Sequence, residues 1–221
     1  MSNARRSHSG GAGEQLFTTS VVFARPAHHS FNCSLILADC HDAGLDEAGR
    51  GCLAGPVFAA AVILPPGFTA PFLNDSKQVT ARRREGLREV ICREAVAWAV
   101  GEASVAEILT LNIEQASYLA MHRAVAALAV RPEALLVDGN RFRPYPGLPH
   151  TCVVGGDGLH AAIAAASILA KTFRDERMTA LAAEFPAYGW ERNAGYPTAA
   201  HRAAIRAHGP SEHHRTGFRL L

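Results

Sequence analysis

Four acidic residues stand where their side chains could do chemistry. Asp46 and Glu47 close a short apolar strand just ahead of Gly49-Arg50-Gly51, Asp138 ends the run Leu135–Val137, and Asp175 lies on a long helical stretch. Asp175 follows Ser167 by eight residues and Lys171 by four, so these three share one helix face. Gathered in one cleft, four carboxylates do not coexist unaided. Two of them about 4 Å apart repel by roughly 4 kcal/mol at an effective dielectric of about 20, so the group protonates, scatters or takes up cations. Taken singly, each acid has a plainer reading: Asp138 before Gly139 makes a turn, and Asp175 pairs with Lys171 at i,i+4.

The elements that must position these acids can be read from the surrounding pattern. Gly44–Glu47 and Val57–Leu64 read as two strands around a glycine-rich turn, with Pro65–Gly67 stopping the second. Thr80 is an N-cap for a helix to about Ala95, and Trp98–Ala103 reads as a third strand. A helical stripe of Ile113, Ala116, Leu119, Ala120, Ala124 and Ala127 predicts a helix over about Asn112–Ala129. Leu135–Asp138 and Cys152–Gly155 are the fourth and fifth strands. Helices are predicted over about Leu159–Ala183 and Thr198–His208, the latter ended by Gly209-Pro210. Strands first, then strands alternating with helices, imply an α/β fold with a mixed five-stranded sheet flanked by helices and a small helical C-terminal segment.

Composition narrows the classes. The chain has 221 residues, 48% hydrophobic and 19% charged, enough to bury roughly 70% of its unfolded surface around one core. Residues 1–43 are polar and lack periodicity, and are expected to form a partly disordered extension ahead of a single domain over 44–221. No apolar run approaches the ~18 residues of a membrane span. Five cysteines without a CxxC pair fit a reducing cytoplasm. Net charge is only +2, yet residues 192–221 hold five arginines against Glu212. That stretch suits phosphate contact through Arg202, Arg206 and Arg215, or is simply a solvated helix face.

Read together, the motifs carry more than the acids do alone. The block Ala43-Gly44-Leu45-Asp46-Glu47-Ala48-Gly49-Arg50-Gly51, with Leu53-Ala54-Gly55-Pro56-Val57, resembles the opening signature of type 2 ribonuclease H (the ribonuclease HII family). Asp75-Ser76-Lys77, Asn112-Ile113, Gln115-Ala116-Ser117, Val137-Asp138-Gly139-Asn140 and Ala164–Lys171 follow in that family's order. So do Arg174-Asp175, Gly195-Tyr196-Pro197-Thr198, His201, Gly209-Pro210-Ser211 and His214-Arg215, so the resemblance covers about Gly44 to Phe218.

The resemblance implies a ribonuclease H-like fold and a two-metal endonuclease acting on RNA–DNA hybrids and on DNA duplexes containing ribonucleotides. Carried over by motif position, Asp46, Glu47, Asp138 and Asp175 become metal-binding acids. Gly49, Arg50 and Gly51 become the reader of the ribonucleotide, Tyr196 the group that senses the neighbouring sugar, and Lys77, Ser167 and Lys171 phosphate contacts. An all-carboxylate set suits Mg²⁺ or Mn²⁺ and is a poor match for zinc. Reading RNA means reading the 2′-hydroxyl, which backbone groups can do only where nothing bulky intervenes, as at Gly49 and Gly51. Because neighbouring residues on a strand point to opposite faces, Asp46 and Glu47 can share a site only where the strand ends or twists.

Three departures from the family pattern stand out. Cys52 replaces the usual proline after Gly-Arg-Gly and is expected to loosen the turn. Asn193-Ala194 replace a basic pair, at the expense of a phosphate contact, and Thr216-Gly217 replace a basic residue and serine. Ribonuclease HIII, the sister type, carries a substrate-binding domain for which 43 polar residues are too few. A non-catalytic hybrid-binding module would lack an acid, and all four are present.

Overall fold

The computed structural model describes residues 21–24, 41–70, 73 and 80–221. Five strands form the core sheet: β2 (Ala43–Ala48), β3 (Val57–Ile63), β4 (Ala97–Ala103), β5 (Leu135–Asp138) and β6 (His150–Val153). A sixth, β1 (Val21–Ala24), comes from the expected extension and pairs antiparallel with β4 at the edge, giving the order β1-β4-β3-β2-β5-β6. The sheet is mixed, as expected: β5 runs parallel to both β2 and β6 while the other pairs are antiparallel.

The alternation of β3 shows how the layers form. Val57, Ala59, Ala61 and Ile63 join the core under α3 (Ile113–Ala126), while Phe58, Ala60 and Val62 join the core under α4 (Ala161–Glu184) and α1 (Ala81–Glu94). Every residue of β3 is therefore buried, the pattern of a strand covered on both faces. Small residues bring α4 unusually close. A Cβ built on Gly44 would lie 2.1 Å from the backbone carbon of Ala162, so only glycine fits at that point of β2.

Thr80 caps α1 as the sequence predicts, accepting from Arg83 N. Between β4 and α3 lies a helix the periodicity did not indicate, α2 (Val105–Leu111), entered through a capping box of Ser104 and Glu107. Strand β6 starts and ends two residues earlier than expected, because Gly155 adopts φ +66° and a 3₁₀ turn follows at Gly156–Gly158. The C-terminal segment holds a one-turn helix α5 (Trp190–Asn193) and α6 (Ala199–His208), packed with Leu53, Met178 and Leu181 around Trp190. No helix of the described residues is long and apolar enough to cross a membrane.

Candidate active site

The pairing of β2 with β5 stops at Leu45–Val137, whereas its pairing with β3 continues to Ala48. The sheet therefore splits at the C-terminal ends of two parallel strands, the usual place for a site in such sheets. Asp46 pairs with Ala60 and faces α4, and Glu47 pairs with Ala59 and faces α3. The strand remains regular through both acids. They share a cleft because β5 has left the strand's side, not because β2 bends.

That cleft, of about 440 Å³, is lined by Asp46, Glu47 and Asp138, by the turn Gly49-Arg50-Gly51, and by Ser167, Lys171 and Tyr196. Arg84 of α1 also lines it, a residue hidden in the sequence within the run Arg82-Arg83-Arg84. Asp175 stands apart. Its carboxylate accepts from Lys171 Nζ at 2.7 Å and faces Arg84 at 4.0 Å, the i,i+4 pairing that its spacing allowed. Among the described residues no three His, Cys, Asp or Glu side chains are gathered as they stand to hold a metal ion. Lys77 lies outside the described residues.

Each acid in the cleft is held. Asp46 is buried, accepts from Glu47 N at 2.7 Å and bonds the Ser167 side chain. Burial first, then the charges of Glu47 and Asp138, push its carboxyl up to about 8. Burial likewise raises Glu47, opposed by Arg50, whose guanidinium donates to it at 3.0 Å. Asp138 Oδ1 accepts from Gly156 N at 2.7 Å.

Two buried arginines build the Gly49–Gly51 turn. Gly49 takes φ +97°, and a Cβ there would lie 2.0 Å from Arg174 Nε. Arg174, fully buried, donates to the carbonyls of Pro56, Ala194 and Ala54. Arg215, equally buried, donates to those of Gly55, Arg50 and Pro56. This corrects the expectation that Arg215 reaches phosphate: it is spent inside the molecule. Arg202 is also engaged, on the carbonyls of Arg219 and Leu220.

Cys52 does not loosen the turn. It is fully buried, its N–H donates to Gly49 O at 3.4 Å, and its thiol donates to Ala194 O and bonds the Tyr196 side chain. Asn193, in place of a basic residue, is structural: its side chain donates to Tyr188 O and accepts from Gly195 N. Tyr196 keeps 37% of its surface exposed at the cleft, with Lys171 Nζ 5.1 Å from its ring centre.

Known proteins of this shape and sequence agree with one another. The Ribonuclease HII family model matches residues 43–221. The ribonuclease HII of Parabacteroides distasonis is 63% identical over 180 residues, 81% of this chain and 90% of that protein. That of Porphyromonas gingivalis is 59% identical over 181 residues, 82% and 90% of the two chains. Among solved structures, Pyrococcus horikoshii ribonuclease H2 superposes with a TM-score of 0.68 at 21% identity, over 81% of this chain and 94% of that one. The ribonuclease HII of Archaeoglobus fulgidus, solved in complex with PCNA, gives 0.68 at 25%, over 82% and 96%. The expected ribonuclease H-like fold is thus the observed one, and the chain belongs to the ribonuclease HII family, endonucleases of the ribonuclease H type.

Proposed function

We propose that this ribonuclease H hydrolyses the phosphodiester on the 5′ side of a ribonucleotide, both in the RNA strand of an RNA–DNA hybrid and at a single ribonucleotide embedded in duplex DNA. The products carry a 3′-hydroxyl and a 5′-phosphate. One observation carries the reading: a single cleft joins three carboxylates to the Gly49–Gly51 turn and to an exposed tyrosine.

The donors in this cleft suit hard divalent cations. They are oxygen ligands without His or Cys, and burial with like charge lifts Asp46 to about 8, a cost that bound cations would remove. Asp46, Glu47, Asp138 and Asp175 would hold Mg²⁺ or Mn²⁺, Asp175 by giving up Lys171. A ribonuclease HIII from Bst, similar in fold at 21% identity and a TM-score of 0.65, was solved in complex with Mn²⁺. Two such ions, when bound, activate a water and stabilise the departing 3′ oxygen.

The chain itself selects and orients. Backbone groups at Gly49 and Gly51 approach the 2′-hydroxyl, with Gly51 open to solvent and Arg215 fixing the Arg50 carbonyl between them. Lys171 and Ser167 on α4 meet the phosphate, and the Tyr196 ring packs on the sugar 3′ to it. A deoxyribose there offers an apolar edge, whereas a ribose buries a hydroxyl that the ring leaves unpaired, at about 1–3 kcal/mol. The three described cysteines are free, in keeping with the cytoplasm as the working compartment.

Two substrates test this reading: a DNA duplex with one ribonucleotide, and an all-RNA strand paired with DNA. Both should be cut in magnesium and neither after exhaustive EDTA treatment. Asp138→Asn should fall below about a tenth of wild-type turnover on either, a loss of more than ~1.4 kcal/mol of transition-state stabilisation, with binding retained. Turnover that survives EDTA would overturn the metal assignment, and an uncut single-ribonucleotide duplex the substrate assignment.

A further inference from the structure

Two histidines lie beneath the cleft, outside the carboxylate set. His201, fully buried in the first turn of α6, and His214, 1% exposed in the closing segment, face each other with Nε2 atoms 3.2 Å apart. Three neighbours of fixed polarity set their tautomers. The Tyr196 carbonyl, 2.9 Å from His201 Nδ1, can only accept. The Trp190 indole, 3.0 Å from His201 Nε2, can only donate, as can Ser211 N, 2.9 Å from His214 Nδ1. Hence His201 carries its proton on Nδ1 and gives it to Tyr196 O. His214 carries its proton on Nε2 and gives it to His201.

The pair bridges the two parts of the site that touch substrate. His214 forms a β-bridge with Ala54, flanked by Gly55 N to His213 O at 2.8 Å and Arg215 N to Leu53 O at 2.8 Å, where the Gly49–Gly51 turn is anchored. At the other end lies the turn of Tyr196, whose carbonyl also accepts from Thr198 N at 2.8 Å.

We propose that His201 and His214 are positioning residues for Tyr196, acting as a neutral, mutually hydrogen-bonded pair that ties the tyrosine's turn to the ribonucleotide-reading loop. This rests on the reading of Tyr196 given above. The geometry disfavours an added proton. On His201 Nε2 it would meet two N–H groups, and on His214 Nδ1 it would meet Ser211 N–H at 2.9 Å, with only the Ser211 hydroxyl at 3.0 Å to accept it.

The surroundings oppose charge as well. Arg202 on α6 and His213 in the closing segment add only positive charge, and the Tyr188 hydroxyl is spent on Gly209 O. His208 lies across the Tyr188 ring, and the buried α4 residues of this cluster, Met178, Leu181 and Ala182, are apolar. Among the described residues no carboxylate pairs with either ring. Burial accordingly lowers His201, and burial together with His201 lowers His214 to about 4.

The decisive experiment compares single-turnover rates in magnesium on the single-ribonucleotide duplex and the all-RNA hybrid, expressed as their ratio. His201→Leu should lower that ratio at least about tenfold, the equivalent of one lost positioning hydrogen bond. His201→Asn, whose amide can still donate to Tyr196 O, should restore it to within about threefold of wild type. His214→Asn keeps the Ser211 contact but breaks the bridge, and serves if the leucine variant does not fold. An unchanged ratio in His201→Leu or His214→Asn, beside a lowered ratio in Tyr196→Ala, overturns the positioning role alone. An unchanged ratio in Tyr196→Ala overturns the reading of Tyr196 and the positioning role with it. Imidazole ¹⁵N spectra of the wild type should show His201 as the Nδ1–H and His214 as the Nε2–H neutral tautomer at about pH 6.5, where an ordinary histidine is half charged. A charged ring or the opposite tautomers would also overturn the proposal.

Discussion

Replacing Asp46 with asparagine should end cleavage and, without metal, make the protein more stable. The native carboxyl is lifted from 3.8 to about 8, so between those values the folded chain holds a proton that the unfolded chain has released. Stability is therefore lost as pH rises through this window. At about 1.4 kcal/mol per unit the full rise corresponds to an upper bound near 6 kcal/mol. Relaxation and water entry around a buried charge leave roughly half of that or less. Asparagine has no proton to lose, so Asp46→Asn should melt about 4–10 °C above wild type at around pH 9 in EDTA, given ~2–4 °C per kcal/mol for a chain of this size. The gap should narrow towards about pH 5, and saturating magnesium should raise the wild type but not the variant. Thermal melts of both proteins over this range are the assay. Parallel curves would refute the idea that Asp46 is forced to share a buried cleft with like charges.

Two further perturbations follow from the packing. Gly44→Ala places a methyl group against the Ala162 backbone, which cannot swing aside, so it should cost at least ~3 kcal/mol and displace Ser167 and Lys171. A melting temperature within about 2 °C of wild type would show that α4 has room to yield. Arg215→Met should destabilise by roughly 2–4 kcal/mol by taking the guanidinium from the Gly55 and Arg50 carbonyls, Pro56 keeping Arg174, while leaving the salt dependence of duplex binding unchanged. A slope flattened by about one unit would return Arg215 to the phosphate-contacting surface.

The parts of this molecule that could be read from sequence are those where local and global preferences coincide. Val57–Ile63 is apolar throughout and is buried on both faces, and the alanine-rich stripe of α3 lies on the sheet as its spacing requires. Of the ten described residues picked out by motif order, nine line the cleft and only Asp175 does not. Helix α2 escaped because its seven residues bury only Val105 and Ile108, although Ser104 and Glu107 carried the capping signal. The pairing of Asp175 with Lys171 was legible as spacing, but nothing local decides between that partner and a cation. Arg174 and Arg215 were the least legible. Charge in a sequence reads as surface, and only carbonyls brought in from distant segments make the interior a place for a guanidinium.

The contact between Gly44 and α4 also works as a ruler. Gly44 and Asp46 are two residues apart and point to the same face of β2, whereas Leu45 and Glu47 point to the other. If β2 slid by one residue against β3, Ala43 or Leu45 would have to lie beneath the Ala162 backbone, where a single methyl carbon does not fit. The same slip would exchange the two carboxylates between α4 and α3. A chain paired out of step could therefore not seat α4, so the alignment of the two acids is secured by a glycine that lies outside the cleft.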